Sequence, residues 1–285
     1  MIEEQLSEII TNNPGLNPLV LRTKLKEVLQ DDILEFVYNH PKYRAFLFTG
    51  GTCLHRLYGL PRLSEDLDFD VEDTVDPHAF AADAQSYIRH SLHYSSVQTR
   101  VSGNGMSVVL MFPVLQHLGL VHGSADSPTL FLRCDLARDQ TGLYGDQRLP
   151  ISTTRTMFFV RAYDLPTLLG NKLAAFIART YRKGAAQTVP FKGRDVFDLM
   201  WFLQESQRQN WALMPNWPRV LALLNAKTPS DVLRTAATKA AALNPTEVAA
   251  DLRPFIEDQR MLEAFTSHVS EVLPAQLTAL AQHLA

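Results

Sequence analysis

Residues 50–70 begin Gly50-Gly51-Thr52-Cys53-Leu54-His55-Arg56 and end Pro61-Arg62-Leu63-Ser64-Glu65-Asp66-Leu67-Asp68-Phe69-Asp70. A short apolar run, Ala45–Thr49, leads into the two glycines and predicts a buried strand closed by a tight turn. Thr52–Tyr58 then reads as a short helix, and Leu67–Val71 alternates acid with apolar residue, the period of a strand. On a strand, alternate residues project from one face, so Asp66 and Asp68 stand side by side. Two ionised carboxylates that close repel each other unless a cation sits between them. Mg²⁺ is bound through one or two carboxylates together with substrate phosphates, so the pair suits a metal–nucleotide complex, with Mn²⁺ as the alternative ion. At Gly50 and Gly51 the backbone N–H groups can approach a phosphate where a Cβ would clash. The helix start that follows adds free donors and partial positive charge. A phosphate cradle beside a metal pair is what phosphoryl-type transfer requires: positioning, and neutralisation of developing charge.

Two plainer readings compete. Asp66, Asp68, Asp70 and Glu72 resemble the start of a calcium loop, but that loop needs Gly at its sixth position and Glu at its twelfth, where this chain has Val71 and Pro77. An edge strand that points acids to solvent to block pairing would carry the same alternation.

Toward the N-terminus, Leu19, Leu21, Leu25, Val28 and Leu29 are roughly helix-spaced, and the first 40 residues read as helix. In the other direction, Pro77–Leu92 reads as helix, and Ser96–Val101, Met106–Pro113, Thr129–Asp135 and Thr156–Val160 as strands. Asp164-Leu165-Pro166 is a helix-start signal. Helical patterns dominate after it, broken near Gly184–Pro190, Pro215–Pro218, Thr228-Pro229 and Asn244-Pro245. The expected class is α+β: residues 1–163 form a mixed β-sheet flanked by helices, and residues 164–285 form a helical C-terminal domain.

Hydrophobic residues make up 46% and charged residues 20% of the 285, which fits a globular chain. No apolar stretch reaches the roughly 18 residues of a membrane span. The start, Met-Ile-Glu-Glu-Gln, lacks signal-peptide character. Two cysteines, Cys53 and Cys134, make no disulfide framework and are expected to be reduced and buried. A cytoplasmic protein with no membrane partner is expected. The net charge of −3 conceals an asymmetry: residues 1–165 carry 14 basic and 20 acidic side chains, residues 166–285 carry 13 and 10. Lys172, Arg179, Arg182, Lys183, Lys192 and Arg194 fall in one stretch without an acid, which attracts polyanions such as triphosphate or nucleic acid. A solvated helix face plus a loop is the plainer explanation.

On a helix from Leu165, Lys172 lies four residues after Leu168 and four before Phe176, so it interrupts an apolar stripe. Such a stem either snorkels outward or reaches a phosphate. Asp195 falls in the first turn of a helix whose apolar face is Val196, Leu199, Met200 and Leu203, where an acid suits the helix dipole without any further role. Asp195 borders that face and Asp198 is expected to point away from it, free to pair with Arg194 on the surface. Asp135 ends the apolar strand Phe131–Cys134 and is either a turn cap or a third metal ligand or base. His90 and His93 share a helical face but are too few for a zinc site.

The motifs at 50–56 and 61–70 resemble the signature of the AbiEii/AbiGii-type toxin family, which includes MenT-type toxins and belongs to the DNA polymerase β-like nucleotidyltransferase superfamily. Asn171-Lys172-Leu173 and Lys192-Gly193-Arg194-Asp195-Val196-Phe197-Asp198-Leu199 are similar to the family's later Lys and Arg-Asp motifs. Thr52 stands where the wider superfamily often has Ser, and the gap to the Asp pair is longer than in its small-molecule enzymes; both features are usual among the toxins. The resemblance implies an NTP- and Mg²⁺-dependent nucleotidyltransferase, with its active site in the cleft between the two domains. Asp66, Asp68 and Asp135 would take the metal, and Gly50, Gly51, Thr52 and Ser64 the phosphates. Lys172 would grip the triphosphate and Asp195 would position acceptor or nucleotide. It further implies a bacterial toxin–antitoxin or phage-defence role, a cognate antitoxin, and an RNA acceptor, the 3′ end of tRNA. The rivals are an aminoglycoside-type or protein nucleotidyltransferase and a non-catalytic nucleotide-binding module.

Overall fold

The computed structural model describes residues 2–284 apart from 103–104, 122, 124–125, 154, 180, 184–186 and 190, and describes the backbone alone over 181–183 and 187–189. The chain divides into two compact units, Met1–Asp139 with Gln147–Ala162, and Gln140–Asp146 with Tyr163–Ala285.

The first unit runs α1 (Ile2–Asn12), α2 (Pro18–Asn39), β1 (Leu47–Thr49), α3 (Gly50–Tyr58), β2 (Asp66–Asp70), α4 (Pro77–His90), β3 (Gln98–Ser102), β4 (Ser107–Phe112), β5 (Leu130–Ala137), β6 (Asp146–Ser152) and β7 (Met157–Tyr163). Its strands form one mixed sheet in the order β3-β4-β5-β2-β1-β7-β6, with β2 antiparallel to β1 and parallel to β5. Alternation sorts the side chains. Phe48, Leu67, Phe69, Leu110, Leu132 and Val160 fill one face and are fully buried. Helix α4 packs on β3 and β4, and α2 on β5. Each fully buried Leu or Phe of that face contributes about 1.5–3 kcal/mol. The acids of β2 therefore project from the opposite face. Strand β6 is not among the strands expected from the sequence; it contains Pro150, and proline, which lacks an N–H, is tolerated there because β6 lies at an edge of the sheet. Cys53 and Cys134 are both buried, as expected.

The second unit contains α5 (Leu165–Ala178), a two-stranded sheet of β8 (Tyr181–Lys183) and β9 (Gln187–Val189), then α6 (Gly193–Arg208), α7 (Trp217–Leu224), α8 (Pro229–Ala241), α9 (Pro245–Leu252) and α10 (Gln259–His283). Of the breaks read from the sequence, Pro215–Pro218, Thr228-Pro229 and Asn244-Pro245 are helix starts, and Gly184–Pro190 falls in part outside the described residues. Asp164, Asn216, Thr228 and Asn244 each cap a following backbone N–H, with Pro in the first turn of α5, α7, α8 and α9. No described helix is long and apolar enough to cross a membrane.

Candidate active site

The predicted site residues fall in two groups, one in each unit. In the first, the pairing register aligns a row across the sheet: Thr49 opposite Asp68, Asp68 opposite Asp135, and Asp135 opposite Ser107. Opposed residues share a face, so Asp66, Asp68 and Asp135 stand together on the side away from the apolar core, each partly exposed. Their fields reach the buried Cys134 thiol, whose pKa is raised by burial first and then by Asp135, Asp66 and Asp68.

Gly50 joins β1 to α3 at φ 79°, and a Cβ there would overlap the Asp68 carboxylate. Glycine is required twice over, by conformation and by space. The turn sets the N-terminus of α3, with its free N–H groups, against Asp68. A Cβ on Gly51 would lie 2.7 Å from Arg62 Nη2 and 2.9 Å from Ser64 Oγ. Arg62 and Ser64 are both buried there, and Arg62 Nη1 donates to the Leu63 carbonyl at 2.9 Å. Sequence reasoning quoted Arg62 only within a motif; its signal was an arginine set among Leu60, Pro61 and Leu63. The buried Thr52 hydroxyl donates to the Asp66 carbonyl and ties α3 to β2. Helix α3 is braced further along by Arg56, which donates to Asp31 Oδ1 at 2.6 Å, and by His55, whose Nε2 meets Glu27 Oε1 at 2.7 Å and whose Nδ1 meets the Leu60 carbonyl at 2.8 Å.

Asp135 accepts a hydrogen bond from Ser107 Oγ and lies 3.5 Å from Arg133 Nε. Among the described residues no three His, Cys, Asp or Glu side chains converge to hold a metal ion. A site of two carboxylates, Asp66 and Asp68, completed by substrate phosphates fits Mg²⁺ without a third acid.

The second unit brings Lys172 to Asp195, and here the structure overturns an expectation. Asp198 does not point to solvent: it is fully buried, and its Oδ2 lies 2.7 Å from Lys172 Nζ. Asp195 Oδ1 is 3.7 Å from the same ammonium group, and its Oδ2 is 2.5 Å from Arg179 Nη1. The helical wheel assumed one wet side, but α5, α9 and α10 all pack on α6, and Val196, Phe197, Leu199 and Met200 are buried around it. Arg194 turns to Asp251, whose Oδ2 also accepts from the Arg194 backbone N–H at 3.1 Å, and its guanidinium lies over the Phe255 ring. Lys192 has a lowered pKa from burial and from repulsion by Arg179 and Arg194. Much of the basic run is thus matched by acids of its own unit; the side chains of Arg182 and Lys183 lie outside the described residues.

A family model described as "Nucleotidyl transferase AbiEii toxin, Type IV TA system" matches residues 34–279. Among solved structures the chain is similar to JHP933 from Helicobacter pylori, at 15% identity over 92% of this chain and 94% of that one with a TM-score of 0.50. It is similar also to MenT4, a nucleotidyltransferase toxin from Mycobacterium tuberculosis H37Rv, at 14% identity over 98% and 92% with a TM-score of 0.52. At such identities the two likenesses concern the fold. No curated protein matches the chain in sequence. The family match runs through the carboxylate row of β2 and β5 and on through α5 and α6, and with it the chain belongs to the AbiEii toxin family of nucleotidyltransferases.

Proposed function

We propose that this enzyme transfers NMP from an NTP to a hydroxyl at the 3′ end of tRNA, as the cytoplasmic toxin of a bacterial toxin–antitoxin or phage-defence pair with a cognate antitoxin. The observation that carries the reading is the alignment of the Gly50 turn, Asp68 and Asp135 across the sheet. The triphosphate lies on the N–H groups at the start of α3, where Gly50 and Gly51 leave room for it. Asp66 and Asp68 would hold Mg²⁺, which when bound neutralises phosphate charge. Asp135, on the far side of Asp68 from the turn, accepts the proton of the attacking hydroxyl, oriented by Ser107. The new O–P bond forms at the α-phosphorus, the bond to pyrophosphate breaks, and pyrophosphate leaves with the electron pair. Entry and exit on opposite sides of Asp68 suit an in-line displacement. For Lys172 and Asp195 a part in holding the nucleotide is proposed, read as a higher KM for NTP in Lys172→Ala.

The test incubates the protein with each labelled NTP, Mg²⁺ and total cellular RNA, beside tRNA whose terminal hydroxyls have been oxidised. Label is expected on intact tRNA alone. Label on oxidised RNA, or only on protein or a small molecule, rejects the tRNA acceptor.

A further inference from the structure

We propose that the sheet face beyond Asp135, across β5, β4 and β3, is a stacking platform for single-stranded RNA, with Phe131 carrying a base and Arg133 and Arg100 the phosphates. The proposal rests on the transfer reading and deepens it by naming where the acceptor strand lies. In-line displacement puts the attacking hydroxyl opposite the leaving pyrophosphate. The Gly50 turn is on the β1 side of Asp68, so the acceptor arrives from the β5 side.

On that side the register aligns Arg100 with Val109, Val109 with Arg133, and Arg133 with Asp66. The next row toward the start of β5 pairs Gln98 with Met111 and Met111 with Phe131. Alternation turns all of these to the carboxylate face. Phe131 is 42% exposed, whereas its neighbours Leu130 and Leu132 are buried in the core of the unit. Arg100 and Arg133 are exposed as well, Arg133 with its Nε 3.5 Å from Asp135 in the next row, and no acid lies in either row before Asp66. A flat aromatic ring beside two guanidinium groups matches the chemistry of a polyanion whose bases have π-faces. Four residues along β5 separate Phe131 from Asp135, about 13 Å at strand rise. A terminal nucleotide placed with its hydroxyl at Asp135 thus leaves the ring to a base further up the strand. A cationic small molecule would be repelled by the same two arginines.

The experiment measures binding of a short fluorescein-labelled oligoribonucleotide with a free 3′ hydroxyl, by anisotropy in Mg²⁺ without NTP, to wild type, Phe131→Ala, Phe131→Tyr and Arg100→Ala. Phe131→Ala is expected to bind about tenfold more weakly and Phe131→Tyr close to wild type. Arg100→Ala should lower the log–log salt slope by about 0.7. In the transfer assay the KM for RNA should rise in Phe131→Ala while the KM for NTP holds. Wild-type affinity in Phe131→Ala overturns the platform, as does a KM for NTP that rises in step, or label that passes to protein while the oligonucleotide fails to bind. Binding that Phe131→Ala weakens, with no transfer to any RNA, supports the platform and removes the transfer reading instead.

Discussion

Two clusters of aspartates in this enzyme have the same chemistry and opposite environments. On β2 and β5, Asp66, Asp68 and Asp135 crowd one partly exposed sheet face, close enough for their charges to act together on Cys134. On α6, Asp195 and Asp198 are buried and matched by Lys172 and Arg179 within hydrogen-bonding reach. Crowded like charges repel one another and favour a cation between them, whereas a buried ion pair is costly to break from one side. In the proposed function the first cluster serves the metal–nucleotide complex, whereas the second is above all internal support for α6, to which Lys172 and Asp195 add a contact with the nucleotide.

The comparison breaks first on Asp66→Asn and Asp68→Asn. Each should lower NMP transfer about 10³-fold, because each removes charge from the metal pair. Thermal stability should change far less than activity, since part of any lost contact is offset by relieved repulsion. A loss of melting temperature as large as the loss of activity would put this pair in the structural class. Gly50→Ala sharpens the same side: the positive φ costs about 1–2 kcal/mol, and the added Cβ displaces the Asp68 carboxylate. A displacement of about 1 Å at a catalytic group is enough for a 10²-fold loss, so transfer measured at saturating NTP should fall well beyond what the stability change explains.

The α6 cluster should behave in reverse. Asp198→Ala leaves the Lys172 ammonium group largely buried without its nearest acid and should cost about 3–5 kcal/mol in denaturant unfolding. Asp195→Ala should cost less, since Lys172 keeps Asp198 and Arg179 is partly exposed. Lys172→Met with Asp198→Leu, which removes both charges, should recover most of the loss. If the double variant is no better than Asp198→Ala, the pair is not the stabilising unit described here.

Much of the first cluster was legible in the sequence, because strand alternation and a Gly-Gly turn are local signals. The period of Leu67–Val71 put Asp66 and Asp68 on one face, and the sheet agrees. The alignment of Asp135 with Asp68 was not legible, since register between strands more than sixty residues apart is set by packing. The second cluster was half legible. Lys172 and Asp195 stood out, but the wheel could not foresee that three helices enclose α6 and bury Asp198. Arg194 looked available to a polyanion because its partner, Asp251, comes from α9. Strand β6 went unread for the opposite reason: it contains Pro150, a local signal against a strand that yields where the strand has an outer edge.

The smallest expected effect concerns the brace on α3, and it carries a pH signature. Burial pulls the His55 pKa down, but the hydrogen bonds to Glu27 and the Leu60 carbonyl outweigh it, against a small repulsion from Arg56, and the net shift is upward from 6.5. A raised folded pKa means that the charged ring's contribution is fully present below about 6.5 and is lost as pH climbs through the folded value. Asp32 titrates in a separate window. Its burial, only partly offset by Arg155, lifts it to about 6, so stability from that group grows as pH falls from about 6 toward 4 and is flat above. Unfolding between about pH 6.5 and 8 therefore isolates His55, below the range in which the raised pKa of the buried Cys134 thiol starts to cost stability. Wild type should lose about 1 kcal/mol across that range, the scale of one partly exposed ion pair, and His55→Gln should flatten the loss while leaving the acid limb intact. Because α3 carries Gly50 and Gly51 at its start, the KM for NTP should rise modestly over the same range in wild type alone. An equal pH slope in His55→Gln would move the brace elsewhere, with Arg56–Asp31 the next pair to test.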